Sequence, residues 1–218
     1  MVKHIKPAAL LLCISFLSLH FVPAHAQWSI NAGLGLRSSF STSSNDVPVV
    51  GDEIFTTAVY AGTSYHFDFF GTDGHFGMTP GLYLWAGKDD MIFSVFHNGQ
   101  MYDYTPVSGG VQLPLLFTGS IFPSNDMRLT LSLGPVFGYN GRRYRGEKFD
   151  DDPQVKSLTT PEWNFSLSAM MGLGMEYKRF RVQLCTGIES VKKFKESSEG
   201  LFNLTLGIGY TLQPTNIY

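Results

Sequence analysis

Three histidines, His66, His75 and His97, are the side chains beyond residue 26 best suited to move a proton near neutral pH. Hydrolysis or acyl transfer at a membrane would need one of them within hydrogen-bond reach of a nucleophile and open to lipid. His66 lies on the polar side of an alternating segment, His75 in a turn and His97 in a connection. None is placed for that chemistry, so the chain is not expected to be an enzyme. The charged side chains say more. His66, Asp68, Arg128, Glu176, Lys178 and Arg181 all fall toward one set of segment ends. Charges enclosed in a narrow interior must pair or bear a desolvation penalty of several kcal/mol. Arg128, Glu176, Arg181 and His66 are therefore expected to form an interior polar network. It would act as a rigidifying plug, or alternatively as a proton relay or pore gate.

A second charged group, Arg142, Arg143, Arg145, Glu147, Lys148, Asp150, Asp151 and Asp152, mixes both signs. Its acidic run lacks the ligand spacing of a calcium loop, so no metal site is expected. Its basic half suits the phosphates of lipopolysaccharide. No cofactor motif is present, and none is expected.

The elements that must position these groups announce themselves by a period of two. From Trp163 to Lys178 the odd positions read Trp, Phe, Leu, Ala, Met, Leu, Met, Tyr, and the even ones are mostly Asn, Ser, Gly and charges. Successive side chains of a strand point to opposite faces, so this segment has one apolar and one small or polar face. The pattern recurs at 202–212 and 127–139, and more weakly at 28–37, 55–69, 75–86, 110–122 and 180–189. Eight strands are predicted. Long connections (38–54, 87–109, 140–162, 190–200) alternate with short ones such as Gly71-Thr72-Asp73-Gly74 and Pro123-Ser124-Asn125-Asp126.

Of 218 residues only 16% are charged, while 23 are glycine, a mix unlike disordered chains. The net charge of −2 and the lack of a basic stripe exclude a nucleic-acid partner. Lys3 and Lys6, the apolar run Ala8 to Leu19, Pro23 and Ala24-His25-Ala26 read as a signal peptide over 1–26, cleaved before Gln27. The remaining domain, 27–218, keeps one cysteine, Cys185, so it forms no internal disulfide. It also contains no second apolar stretch long enough for a membrane helix.

An exported all-β chain with an even strand number and alternating short and long connections predicts an eight-stranded antiparallel transmembrane β-barrel, OmpA/OmpX-like in size, in the outer membrane. Bulky Leu, Phe and Met would face lipid, aromatics such as Trp28, Tyr177, Trp163 and Phe165 would form two belts, and side chains would fill the narrow lumen. A soluble barrel would turn the apolar face inward instead. Both termini would lie in the periplasm. Pro80, Pro114 and Pro135 fall inside predicted strands, where bulges or lost hydrogen bonds are expected. In the last strand Thr205, Gly207, Tyr210 and Leu212 resemble the polar-x-Gly-x-x-aromatic-x-hydrophobic signal by which the barrel-assembly machinery recognises its clients. An ordinary alternating strand gives the same spacing.

Val111-Gln112-Leu113-Pro114-Leu115-Leu116 resembles the L-E-I-P-L-L strand of the PorT-like outer-membrane β-barrel family of Gram-negative bacteria. Gly134-Pro135-Val136-Phe137-Gly138-Tyr139 is similar to its G-P-x-x-G-Y strand. Gly172 to Tyr177 and Leu206 to Tyr210 are similar to its penultimate hairpin and closing strand. The chain departs from that pattern at Gln112, where Glu is preferred, and at Thr118, where Lys is common. The resemblance implies an eight-stranded barrel that tolerates prolines in these strands. The expected function is a structural or binding one exercised through long extracellular loops, with lipid and lipopolysaccharide as partners. The alternative, implied by the resemblance, is a component or assembly factor of a protein-secretion apparatus.

Overall fold

The computed structural model describes residues 27–41, 54–69, 75–90, 93–97, 100–146, 160–192 and 198–212. The segment 1–26 that reads as a signal peptide, the acidic run at 150–152 and the tail after Leu212 lie outside them. The described chain forms strands β1 (Gln27–Ser41), β2 (Ile54–Asp68), β3 (Phe76–Asp89), β4 (Phe93–His97), β5 (Gln100–Ser124), β6 (Met127–Arg145), β7 (Glu162–Tyr177), β8 (Phe180–Lys192) and β9 (Ser198–Thr211). Every pairing is antiparallel. β3 pairs with both β2 and β5, and β9 with both β8 and β1, so β1, β2, β3, β5, β6, β7, β8 and β9 close into a ring of eight. Closure leaves the eight-stranded ring without an edge, as lipid requires of a strand protein.

The ninth strand corrects the expectation of an unstructured connection over 87–109. β4 pairs with the start of β5, from Phe93↔Tyr104 to His97↔Gln100. The hairpin adds to the ring at the point where the β3–β5 ladder ends, Lys88↔Val107. Other strands also run past their predicted ends. β6 continues to Arg145, β8 to Lys192, and β9 begins at Ser198. The connection between β8 and β9 is therefore shorter than expected, though still longer than the β7–β8 turn before it.

The packing is inside out relative to a soluble domain. On the outer face Leu173 is 60% and Ile208 65% exposed, while Arg128 and Glu176, on the inner face, are each 6% exposed. Aromatics gather at both rims: Trp28 against Tyr65 at one, and Tyr139 stacked on Trp163 at the other, with ring centroids 5.1 Å apart.

The prolines act by breaking pairs without shifting the register. The β2–β3 ladder lapses between Ser64↔Gly81 and Phe67↔Met78, the β3–β5 ladder between Pro80↔Leu115 and Tyr83↔Gln112, and the β5–β6 ladder between Pro114↔Val136 and Phe117↔Leu133. A true register shift occurs between Ile121 and Ser124, around Pro123 beside the turn. The β7–β8 turn has its own strain, because Lys178 carries a φ of 58°. A side chain there costs about 1 kcal/mol that glycine avoids. Lys178→Gly is expected to stabilise the barrel by roughly that amount, read as a higher denaturant midpoint in lipid vesicles; an unchanged or lower midpoint would contradict it.

Candidate lumenal site

The inward faces of the eight ring strands build two polar tiers with a cavity between them. Alternation decides membership: each strand sends every second side chain inward, so one or two residues per strand meet at each level.

The tier at the turn end draws on all eight strands. Arg128 of β6 donates through Nε to Ser120 Oγ (2.9 Å), through Nη1 to Gln27 Oε1 (3.1 Å) and through Nη2 toward His66 Nε2 (2.7 Å). Arg181 of β8 donates through Nη2 and Nε to Glu176 Oε2 of β7 (2.8 and 3.2 Å). Thr211 of β9 donates to the other Glu176 oxygen (3.0 Å), and its hydroxyl also meets Ser29 of β1 (3.2 Å). Thr79 of β3 joins His66 Nδ1 (2.8 Å) to Thr118 of β5 (3.0 Å). Asp68 Oδ1 lies 2.9 Å from the same His66 nitrogen that Arg128 approaches. An arginine only donates and an ionised carboxylate only accepts, so the position of the ring proton decides which of the two His66 holds.

The four residues expected to meet here thus fall into two linked pairs, His66 with Arg128 and Glu176 with Arg181. Arg128 and Glu176 are register partners across β6–β7, and Glu176 and Arg181 across β7–β8. Lys178 stands apart, exposed in the turn.

The sequence reading missed the tier at the loop end. Arg37 of β1 and Glu189 of β8, strands separated only by β9, form a buried ion pair. Asn140 of β6 donates to Glu189 Oε1 (2.8 Å) and accepts from Trp85 Nε1 of β3 (2.9 Å), while the Arg37 guanidinium lies 4.1 Å from the Trp85 ring centroid. Beside it Arg142 pairs with Asp89 (2.6 Å), which also accepts from Thr56. Arg37 and Glu189 both sat at polar positions of predicted strands, which was the available signal. Asn140 and Arg142 fall in the connection expected over 140–162, and the extension of β6 instead carries them into the barrel mouth.

Between the tiers lies a cavity of about 80 Å³. Tyr60, Tyr83, Pro114, Leu116, Val136 and Met170 are among its lining. This corrects the expectation of a lumen wholly filled by side chains, and of an inner face made only of small and polar groups. Leu116 and Val136 point inward and are 6% and 1% exposed. Tyr60 reaches across the bare backbones of β1 and β9, because a Cβ placed on Gly207 would meet its hydroxyl at 2.1 Å, and one on Gly33 its ring at 2.5 Å.

Among the described residues no cluster of three or more His, Cys, Asp or Glu could hold a metal ion. His75 Nδ1 donates to the Ser120 carbonyl (3.0 Å) in its turn. Of the closing-strand residues, Thr205 and Gly207 face the lumen and Tyr210 and Leu212 face outward, Tyr210 edge-on to Phe180.

Residues 20–214 match the family model for the outer membrane protein beta-barrel domain. No curated protein matches the chain. Among solved structures it is similar to Neisserial surface protein A, at 11% identity over 85% of this chain and 97% of that one, with a TM-score of 0.47. It is similar to Ail, the attachment invasion locus protein of Yersinia pestis, in complex with the heparin analogue sucrose octasulfate, at 13% over 86% and 99%, TM-score 0.45. It is also similar to the outer membrane enzyme PagL, at 11% over 84% and 98%, TM-score 0.41. One of these three neighbours is an enzyme, and the likeness concerns the fold. The matched span contains every strand of the ring, and the chain belongs to the outer membrane protein β-barrel domain family.

Proposed function

We propose that this outer-membrane barrel is a closed, non-catalytic scaffold of the PorT-like kind that works through its loop-end face, with both termini in the periplasm. The observation carrying the reading is the pair of polar tiers: one crosses the lumen from Arg128 of β6 to Gln27 of β1 and His66 of β2, and the other links Arg37, Glu189, Asn140 and Trp85 of β1, β8, β6 and β3 into a girdle. Such cross-links block axial passage and brace the wall at the two ends of the lumen. His66 is engaged inside the lumen, away from the lipid face where substrate would arrive. At the loop end Arg143 and Arg145 are exposed on the outward side of β6, and guanidinium groups there suit lipopolysaccharide phosphates.

Reconstituted into liposomes, the protein is expected to give no sustained swelling in small sugars and no steady single-channel conductance; steady passage of either kind would overturn the closed-lumen reading. A role in a protein-secretion apparatus is the second reading, favoured by the resemblance at Val111 to Leu116 and Gly134 to Tyr139. Crosslinking in intact cells that reproducibly joins the loops to secretion components would select it. Recognition by the barrel-assembly machinery would rest on Thr205, Gly207, Tyr210 and Leu212.

A further inference from the structure

The three prolines of the wall weaken adjacent seams. Pro80 pairs with Leu115 of β5 but has no partner in β2. Pro114 pairs with Val136 of β6 but has none in β3, and Pro135 pairs with Ala169 of β7 but has none in β5. The lapses therefore fall on three consecutive seams, β2–β3, β3–β5 and β5–β6. The register sets Thr79-Pro80 level with Leu115-Leu116, and these level with Gly134-Pro135, while the β3–β5 lapse lies one step away. The other five seams of the ring run without interruption. A proline has no N–H to donate, and the bilayer interior has no water to replace it, so a contiguous run of such lapses is the least bonded part of the wall.

This patch lies directly against the cavity, apolar on its lipid face and largely so within, where Gln112 and Thr79 are the polar groups flanking the lapse. Leu82, Leu113 and Leu115 face lipid, while Pro114, Leu116 and Val136 line the cavity behind them. The polar tiers stand at the two ends of the lumen, so the approach lacking a charged barrier is through the side. We propose that the β3–β5 seam is a lateral portal through which a single alkyl chain enters the mid-lumen cavity from the membrane. A cavity of about 80 Å³ is smaller than the ~150 Å³ apolar site that takes benzene, so it receives the end of one chain and not a whole lipid.

Trp85 borders the cavity and is buried, and it reports chain entry once Trp28→Phe and Trp163→Phe silence the two exposed indoles. Leu82 and Leu113 face each other across the lapse by the flanking register, so Leu82→Cys with Leu113→Cys, in a Cys185→Ser background, tethers the seam from the lipid side. In vesicles, a terminally brominated fatty acid is expected to lower Trp85 emission in the reduced protein and not in the disulfide form. Tether-sensitive loss with vesicles of terminally brominated phospholipid, but not with the fatty acid, would support entry and assign the chain to membrane lipid. Emission loss that is equal in tethered and reduced protein, or absent with both probes, overturns the proposal. If the cysteine pair fails to assemble, Pro114→Val restores a ladder donor and is expected to diminish the loss; an undiminished loss is equally fatal.

Discussion

Glu189→Ala is expected to destabilise the barrel by about 3–5 kcal/mol, because it strands the Arg37 charge in the lumen. Glu189 is fully buried, and its two oxygens hold Arg37 and Asn140, so the loss removes a counter-ion and an acceptor together. The Arg37 guanidinium cannot swing to water without leaving the face of Trp85. Urea unfolding in lipid vesicles would read the change. The instructive comparison is Arg37→Met with Glu189→Leu, which removes both charges and fills similar volume. That double variant is expected to recover most of the lost stability, since apolar replacement of a whole buried pair is often neutral. Equal losses in the single and double variants would show that the ion pair itself, and not the orphaned charge, carries the energy.

Gly207→Ala is expected to lower stability by about 1–3 kcal/mol, through overpacking against the Tyr60 ring. The new methyl would sit 2.1 Å from the Tyr60 hydroxyl, and the stiff ring has little room to yield, since β1 crowds it at Gly33. Gly207 is also a member of the candidate assembly signal, so a defect in membrane assembly alone would not separate the two roles. Tyr60→Ala separates them. If Gly207 exists to admit Tyr60, the double variant Gly207→Ala, Tyr60→Ala assembles as well as Tyr60→Ala alone. If the double variant stays defective in cells while folding normally in vesicles, the glycine is read by the assembly machinery.

Both predictions concern the lumen, which is also where sequence and structure part company. The ring was legible because period-two alternation is a local signal that survives wherever one face is wet by lipid and the other is enclosed. Trp163 to Tyr177 shows it with one exception, the inward Met170. The β4 hairpin was legible in principle. Asn98-Gly99 is a favoured two-residue hairpin signal between β-prone runs, and His97 pairs with Gln100 around it. Neither flanking run alternates cleanly, as expected of a hairpin outside the ring, so the period-two signal is silent there. The loop-end tier was hidden for another reason. Asn140 and Arg142 read as connection because Gly138, Asn140 and Gly141 are turn formers, and only the pairing of β6 with both neighbours holds them extended. The apolar middle of the lumen came from Leu116 and Val136, which sit among apolar neighbours where alternation is blurred and the inward set cannot be picked out.

The closing seam brings together the most distant parts of the chain. Ser29 meets Thr211 across 182 residues of sequence, and β1 then pairs with β9 without lapse to Ser41↔Glu199. Such high contact order makes this join slow to form, since the loop entropy must be met before any pair rewards it. Once made, it can be undone only by parting an unbroken ladder inside a solvent that offers no substitute donors. Folding and unfolding of this cylinder should therefore follow widely separated denaturant curves, with persistence set by a rate and not by an equilibrium.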